Sequence, residues 1–219
     1  MSLNFEQARF NMIEQQIRPA EVLDYRVLDT IAATPREDFV PEAFRELAFS
    51  DTNIPIGNGE VMMKPLMEAR LLQALDVQPD DKILEIGTGS GYFTALLARL
   101  GQSVDSVEID PALLHQARTH LDAQGIGNAR LIEGDGANGW EDGGDYDVIA
   151  ITGSLPVLPE SLKQKLRING RLIAIIGTAP VMEVTLITRL SDDQWTSDAL
   201  YETQLPPLRN AEQPQGFVF

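Results

Sequence analysis

A short apolar run, K-I-L-E-I at 82–86, passes straight into G-T-G-S-G at 87–91 and then into a segment with Leu96, Leu97 and Leu100 at helical spacing. This order of strand, glycine turn and helix constrains the fold more than any other feature. Glycines allow a tight reversal there, and they let a ligand approach backbone where a Cβ would clash. The downstream sequence continues the alternation. S-V-D-S-V-E-I at 103–109, A-R-L-I at 129–132, Y-D-V-I-A-I at 146–151 and R-L-I-A-I-I at 171–176 read as strands. Residues 91–100 and 111–123 read as helices, the second with Leu113, Leu114, Ala117 and Leu121 on one face. Such alternation predicts an α/β fold with a mostly parallel, doubly wound sheet covered on both faces. E-V-T-L-I-T-R-L at 183–190 and Q-W-T-S-D-A-L-Y-E-T at 194–203 read as a closing strand pair.

The first sixty residues read as a helical annex and loop ahead of a core at 61–219, all within one domain. Phe10, Ile13 and Ile17 predict one buried helix face, ended by Arg18-Pro19. Asp24 reads as the N-cap of a second helix that buries Val27, Leu28 and Ile31. Pro35, Pro41, Pro55 and the I-P-I-G-N-G segment at 54–59 predict a loop with special backbone angles. Met67, Leu71, Ala74 and Leu75 form a further apolar helix face. The annex precedes the site loop, which would suit a lid.

Charge narrows the partners. Acidic residues outnumber basic ones 33 to 17, giving a formal charge of −16. Nucleic-acid binders draw affinity from Lys and Arg on phosphates, so a nucleic-acid partner is not expected. No cysteine is present, which removes disulfides and thiolate metal sites. His115 and His120 are five apart in one predicted helix and so on different faces, and no metal site is expected. The start of the chain lacks the pattern of a leader, and no apolar run has the length of a membrane span. A cytoplasmic protein with no membrane partner is the expectation.

The glycine turn does not stand alone. Glu108, in V-E-I-D after the second core strand, is placed to accept hydrogen bonds from a ribose diol. Asp135, in G-D-G at 134–136 after the third, is placed to take an adenine amino group. A dinucleotide enzyme would hold a pyrophosphate at the helix N-terminus, where a nearby anion is unwelcome. Glu85 stands just ahead of the glycines and suits a cationic ligand end instead, such as the α-amino group and sulfonium of S-adenosylmethionine. The candidate cofactor residues are Glu85, Gly87, Thr88, Gly89, Ser90, Gly91, Glu108, Ile109, Gly134, Asp135, Gly136 and Thr152. Thr152 and Gly153 end the fourth core strand and would also line the acceptor side.

Further segments carry a family resemblance. They are P-R-E-D-F-V-P at 35–41, Asp51 with I-P-I-G at 54–57, E-I-G-T-G-S-G-Y at 85–92 and G-D-G-A-N-G-W at 134–140, followed by Y-D-V-I-A-I-T at 146–152 and L-R-I-N-G-R-L at 166–172. With these the chain resembles the protein-L-isoaspartate O-methyltransferases over nearly its whole length. The resemblance implies a Rossmann-like methyltransferase fold and S-adenosylmethionine as donor, leaving S-adenosylhomocysteine. It also implies methylation of the abnormal isoaspartyl carboxylate in damaged proteins, with a peptide or protein as substrate.

One departure falls in the acceptor loop. The family reads Q-T-I-S-x-P after the I-G-x-G turn, and its serine is held to contact the acceptor. This chain reads E-V-M-M-K-P at 60–65, so Glu60 stands for the glutamine, Val61 for the threonine and Met63 for the serine. Glu60, Met63 and Lys64 are therefore the acceptor-loop candidates. Losing one hydrogen bond to a charged acceptor costs about 1.5–3 kcal/mol, or roughly ten- to a hundredfold in rate. Methyl transfer to an ionised carboxylate needs alignment and a dry site more than a base. Isoaspartyl methylation thus leads two alternatives: a methyltransferase for a small apolar acceptor, suited to the flexible methionines, and a S-adenosylmethionine-binding protein without catalysis.

Overall fold

The computed structural model describes residues 4–214. Two N-terminal helices, α1 (Phe5–Met12) and α2 (Tyr25–Ala33), lead to a hairpin of β1 (Ile54–Gly57) and β2 (Glu60–Met62), then to α3 (Pro65–Leu75). The core follows as β3 (Lys82–Ile86), α4 (Tyr92–Leu100), β4 (Ser103–Glu108), α5 (Pro111–Ala123) and β5 (Ala129–Glu133). It closes with β6 (Tyr146–Leu155), α6 (Glu160–Gln164), β7 (Leu166–Thr178), β8 (Val181–Ser191) and β9 (Gln194–Thr203).

Seven strands make one sheet in the order β5-β4-β3-β6-β7-β8-β9. Pairing is parallel from β5 through β7 and antiparallel for β7–β8 and β8–β9. This is the mostly parallel, doubly wound sheet that the strand–helix alternation predicts. β3 is buried along Ile83–Ile86 because helices cover both sheet faces, which is why its sequence is a near-continuous apolar run. From β3 the chain winds outward to β4 and β5, then returns to the other side of β3 as β6. The reversal opens a crevice beyond the carboxyl ends of the central strands.

Helix starts follow local chemistry. Asp24 accepts from Arg26 N and caps α2, whose buried residues are Val27, Leu28 and Ile31, as expected. Asp110 caps α5 by accepting from the N–H groups of Ala112 and Leu113, with Pro111 at the first helical position. Met12, Ile17 and Ile31 belong to the same apolar core as Leu71, Ile83 and Leu96, so the N-terminal elements pack onto the sheet unit directly.

Two expectations need correction. Phe10 does not share the buried face of Ile13 and Ile17; it is 58% exposed, and Met12 is buried in its place. The helix widens into a π turn at Ile13–Ile17, which shifts the phase on which the 3.6-residue spacing depends. The 54–59 segment is no plain loop but one arm and the turn of the β1–β2 hairpin, with positive φ at Gly57, Asn58 and Gly59. Asn tolerates that region better than other non-glycine residues, and the spacing of Pro55 from the turn hid the strand.

Arg36 ties this hairpin to the core. It is fully buried and donates from Nε to Ala48 O at 2.7 Å, from Nη2 to Met63 O at 2.5 Å, and from Nη1 to the Glu68 carboxylate. Its guanidinium also lies 4.8 Å from the Tyr92 ring centre. One side chain of P-R-E-D-F-V-P thus fixes the loop that carries Met63.

Candidate active site

The turn after β3 is held from two sides. Gly87 N donates to Val107 O at 2.8 Å, and Gly89 N donates to Glu108 Oε2 at 2.8 Å. Gly87 has φ +101°, and a Cβ on it would stand 2.6 Å from Thr152 Oγ1, so no other residue fits without movement. Below the turn, Thr88 Oγ1 lies 2.6 Å from Ser106 Oγ, linking the glycine loop to β4.

Around this turn opens a cleft of about 640 Å³ of atom-free space, part of it open to solvent. The carboxyl ends of four parallel strands supply its floor: Gly87 and Gly89 after β3, Glu108 ending β4 with Ile109 after it, Gly134, Asp135 and Gly136 after β5, and Thr152 with Gly153 in β6. The β6–β7 register shifts between Ala150 and Ser154, so Thr152 and Gly153 sit in an irregular stretch. Such a bulge re-aims side chains at a site. Thr152 Oγ1 donates to Ile86 O at 3.0 Å.

Two other walls complete the cleft, and only the second came from residues that the motifs did not mark. One is the hairpin, through Ile56, Glu60 and Val61. The other is the C-terminal segment Leu205–Arg209, which runs over the end of β6. Ser154 N donates to Pro206 O at 3.0 Å, Leu208 N donates to Ser154 O at 2.9 Å, and Leu208 packs so closely that a Cβ at Gly153 would meet its Cδ2 at 2.6 Å. Arg209 clasps both walls together, donating from Nε to Glu60 Oε1 at 2.8 Å and from Nη2 to Asn58 O at 3.0 Å. The only sequence signal for this wall was the Pro206-Pro207 pair, which stiffens an extended segment.

A smaller side cavity of about 280 Å³ of atom-free space, part of it open to solvent, adjoins the cleft, sharing Val61, Gly87, Gly89 and Thr152 with it. Met62, Met63, Thr88, Ser90, Phe93 and Glu68 complete its lining. Met63 is therefore at the site, while Lys64 lines neither space and instead precedes α3 as its N-cap. Gly91 also lines neither; its Cα packs against Ala117 of α5, where a Cβ would come within 3.2 Å of backbone.

Glu85 occupies a different place from the one expected. It is fully buried beneath the turn, accepts from Thr94 Oγ1 at 2.5 Å and Ser106 Oγ at 2.6 Å, and forms no wall of the cleft or side cavity. Side chains alternate along a strand, so Ile86 faces the cleft and Glu85 faces the helix side. Burial pushes its carboxyl up to about 8, against the downward pull of Ser106 and Thr94. Glu108 is also raised by burial, while the N–H groups of Gly89 and Asp110 favour its charged form. Asp135 lines the cleft with its carboxylate already engaged, by Ala137 N at 3.1 Å and Asn210 Nδ2 at 2.8 Å.

His120 places Nδ1 2.9 Å from Ser90 O and packs edge-on to Phe39, while His115 is exposed. Among the described residues, no group of three His, Asp or Glu side chains could hold a metal ion. No described helix is long and apolar enough to cross a membrane.

Residues 7–213 match the family "Protein-L-isoaspartate(D-aspartate) O-methyltransferase (PCMT)". The chain belongs to that family. A relative from Rhodopseudomonas palustris named "Protein-L-isoaspartate O-methyltransferase 1" is 38% identical over 94% of this chain and 84% of its own length. Another from Syntrophus aciditrophicus, named "Protein-L-isoaspartate O-methyltransferase", is 39% identical over 86% of this chain and 87% of its own. Among solved structures, a family member from Plasmodium falciparum in complex with S-adenosyl-L-homocysteine superposes with a TM-score of 0.79 at 22% identity, covering 95% of this chain and 99% of that one. That likeness shows a shared Rossmann-like methyltransferase fold over nearly the whole chain.

Proposed function

We propose that this protein transfers a methyl group from S-adenosylmethionine to isoaspartyl carboxylates of damaged proteins in the cytoplasm, in the service of protein repair. Membership of the family carries the reading, and the four-strand cleft supports it.

The cleft fits the donor on its own terms. Its lining offers a glycine turn and two carboxylates, Glu108 and Asp135, at the ends of adjacent parallel strands, as a nucleoside with an amino-acid tail requires. Gly87, where a Cβ would collide with Thr152, keeps the turn low enough for a ligand to lie against backbone. Glu108 would accept from the ribose hydroxyls, with Gly89 N and Asp110 N already orienting its carboxylate. Asp135 would take the adenine amino group on its remaining lone pairs. Thr88 and Ser90, on the side cavity, would face the methionine end. When bound, S-adenosylmethionine supplies a methyl on a sulfonium, ready for direct displacement.

The chain's own part is alignment and exclusion of water. Thr152 and Gly153 border the acceptor side, and the Leu205–Leu208 segment roofs it with apolar side chains. Glu85 holds the turn from beneath through Ser106 and Thr88 instead of touching a ligand. A carboxylate acceptor is ionised at neutral pH and needs no general base. One observation favours a second reading, a small apolar acceptor: Met62, Met63 and Phe93 line the side cavity where the family has a serine.

Mass spectrometry of an isoaspartyl peptide incubated with the protein and S-adenosylmethionine tests the proposal. One base-labile methyl ester on that peptide is expected; an unmodified peptide beside a methylated small apolar compound would favour the second reading.

A further inference from the structure

Four charged side chains line the cleft among the described residues, and three of them are carboxylates: Glu60, Glu108 and Asp135. The fourth is Arg209. An acceptor that brings its own carboxylate therefore meets a single cation on the way in. Arg209 follows Leu208, which packs on Gly153, and its guanidinium reaches Glu60 at the start of the acceptor loop at 2.8 Å.

The three contacts of Arg209 differ in kind. Nη2 donates to Asn58 O at 3.0 Å in the hairpin turn, and Nη1 donates to Asp110 Oδ2 at 3.3 Å. Asp110 is itself fixed as the cap of α5 and takes a second bond from Asn58 Nδ2 at 2.8 Å. Those two contacts are anchored at both ends. The third, Nε to Glu60 Oε1, ends on a side chain that is 30% exposed at the start of a three-residue strand. Exposed ion pairs of that kind hold weakly.

We propose that Arg209 receives the acceptor's carboxylate, and that Glu60 occupies this place until the acceptor displaces it. The inference rests on the isoaspartyl reading above. Exchange of one carboxylate for another leaves no donor of Arg209 unpaired, so no uncompensated polar group remains. Asn58 and Asp110 keep the guanidinium in position throughout, and its planar fork suits a carboxylate. Departure of Glu60 also removes one negative charge that opposes ionisation of Glu108. Where the family has a neutral glutamine, this chain thus carries a built-in competitor for its own substrate.

Binding of two peptides to the protein saturated with S-adenosylhomocysteine tests this. One peptide carries the isoaspartyl residue, and the other has that free carboxylate replaced by a carboxamide. Glu60→Gln is expected to tighten the carboxylate peptide about three- to tenfold, and Arg209→Met to weaken it about tenfold or more, with Arg209→Lys in between. The carboxamide peptide should respond to none of these, and affinity for S-adenosylhomocysteine alone should stay within about threefold. Equal weakening of both peptides, loss of S-adenosylhomocysteine in Arg209→Met, or weaker carboxylate binding in Glu60→Gln would overturn the assignment and make the clasp a piece of the roof. An unmodified protein that holds S-adenosylhomocysteine yet prefers neither peptide would sink the isoaspartyl reading itself. A preference that survives Arg209→Met sinks this inference alone.

Discussion

Gly89 donates its backbone N–H to Glu108 Oε2 at 2.8 Å, locking the turn after β3 to the carboxylate at the end of β4. Glu108 Oε1 meanwhile accepts from Asp110 N at 3.0 Å. One side chain thus shapes the glycine turn and the start of α5 together. Glu108→Ala removes both bonds and the proposed acceptor for the ribose. Affinity for S-adenosylhomocysteine should fall by about ten- to a hundredfold, as expected for losing bonds to a charged group. Titration calorimetry would show this, and unchanged affinity would remove Glu108 from the binding set.

Gly87 tests the closeness of the turn to β6. Alanine there meets both a φ of +101° and a Cβ contact of 2.6 Å with Thr152 Oγ1. Strain of this kind costs on the order of 1–3 kcal/mol. Gly87→Ala should lower the denaturant midpoint accordingly and weaken S-adenosylhomocysteine binding. Thr152→Ala in the same chain should recover part of the stability, since it removes the clashing oxygen.

The Arg36–Glu68 pair is buried on both sides, with side-chain exposures of 0% and 3%. Removing one member leaves the other buried without its partner, at a cost of about 3–5 kcal/mol. Arg36→Met should show that loss in chemical unfolding. It should also free the Met63 carbonyl and loosen the loop that lines the side cavity. A loss below about 1 kcal/mol would mean that the pair is dispensable.

The same region sets a pH dependence. Burial raises the carboxyls of Glu85 to about 8 and of Glu68 to about 7, the latter despite the favourable Arg36 charge. In the unfolded chain both would ionise in the ordinary carboxylate range. The native state therefore binds more protons between that range and about pH 8, and stability falls as pH rises through this window. Glu85→Gln stays neutral throughout, so its unfolding midpoint should decline less between about pH 5 and pH 9. Parallel declines in the two proteins would contradict the assignment.

The sequence made the mostly parallel, doubly wound sheet and most of the cleft floor legible, because each rests on local patterns. Apolar runs marked the strands, Asp24 announced its helix, and G-T-G-S-G and G-D-G marked the strand ends. What stayed hidden is of two kinds. Glu85 lies beneath the turn and Phe10 faces solvent, since strand alternation or a π turn in a helix decides a side chain's face and neither shows in residue type. The wall formed by Leu205–Arg209 was invisible because its partners are remote: Glu60 and Arg209 are 149 residues apart. Long-range contacts of that sort have no local signature beyond the two prolines.

The most direct test of the central claim is the rate of labelled methyl transfer from S-adenosylmethionine to an isoaspartyl peptide, beside its ordinary aspartyl twin. Label is expected on the isoaspartyl peptide alone, with the aspartyl peptide at background. No label on either peptide, from protein that still binds S-adenosylhomocysteine, would contradict the account and leave this cleft with a different acceptor.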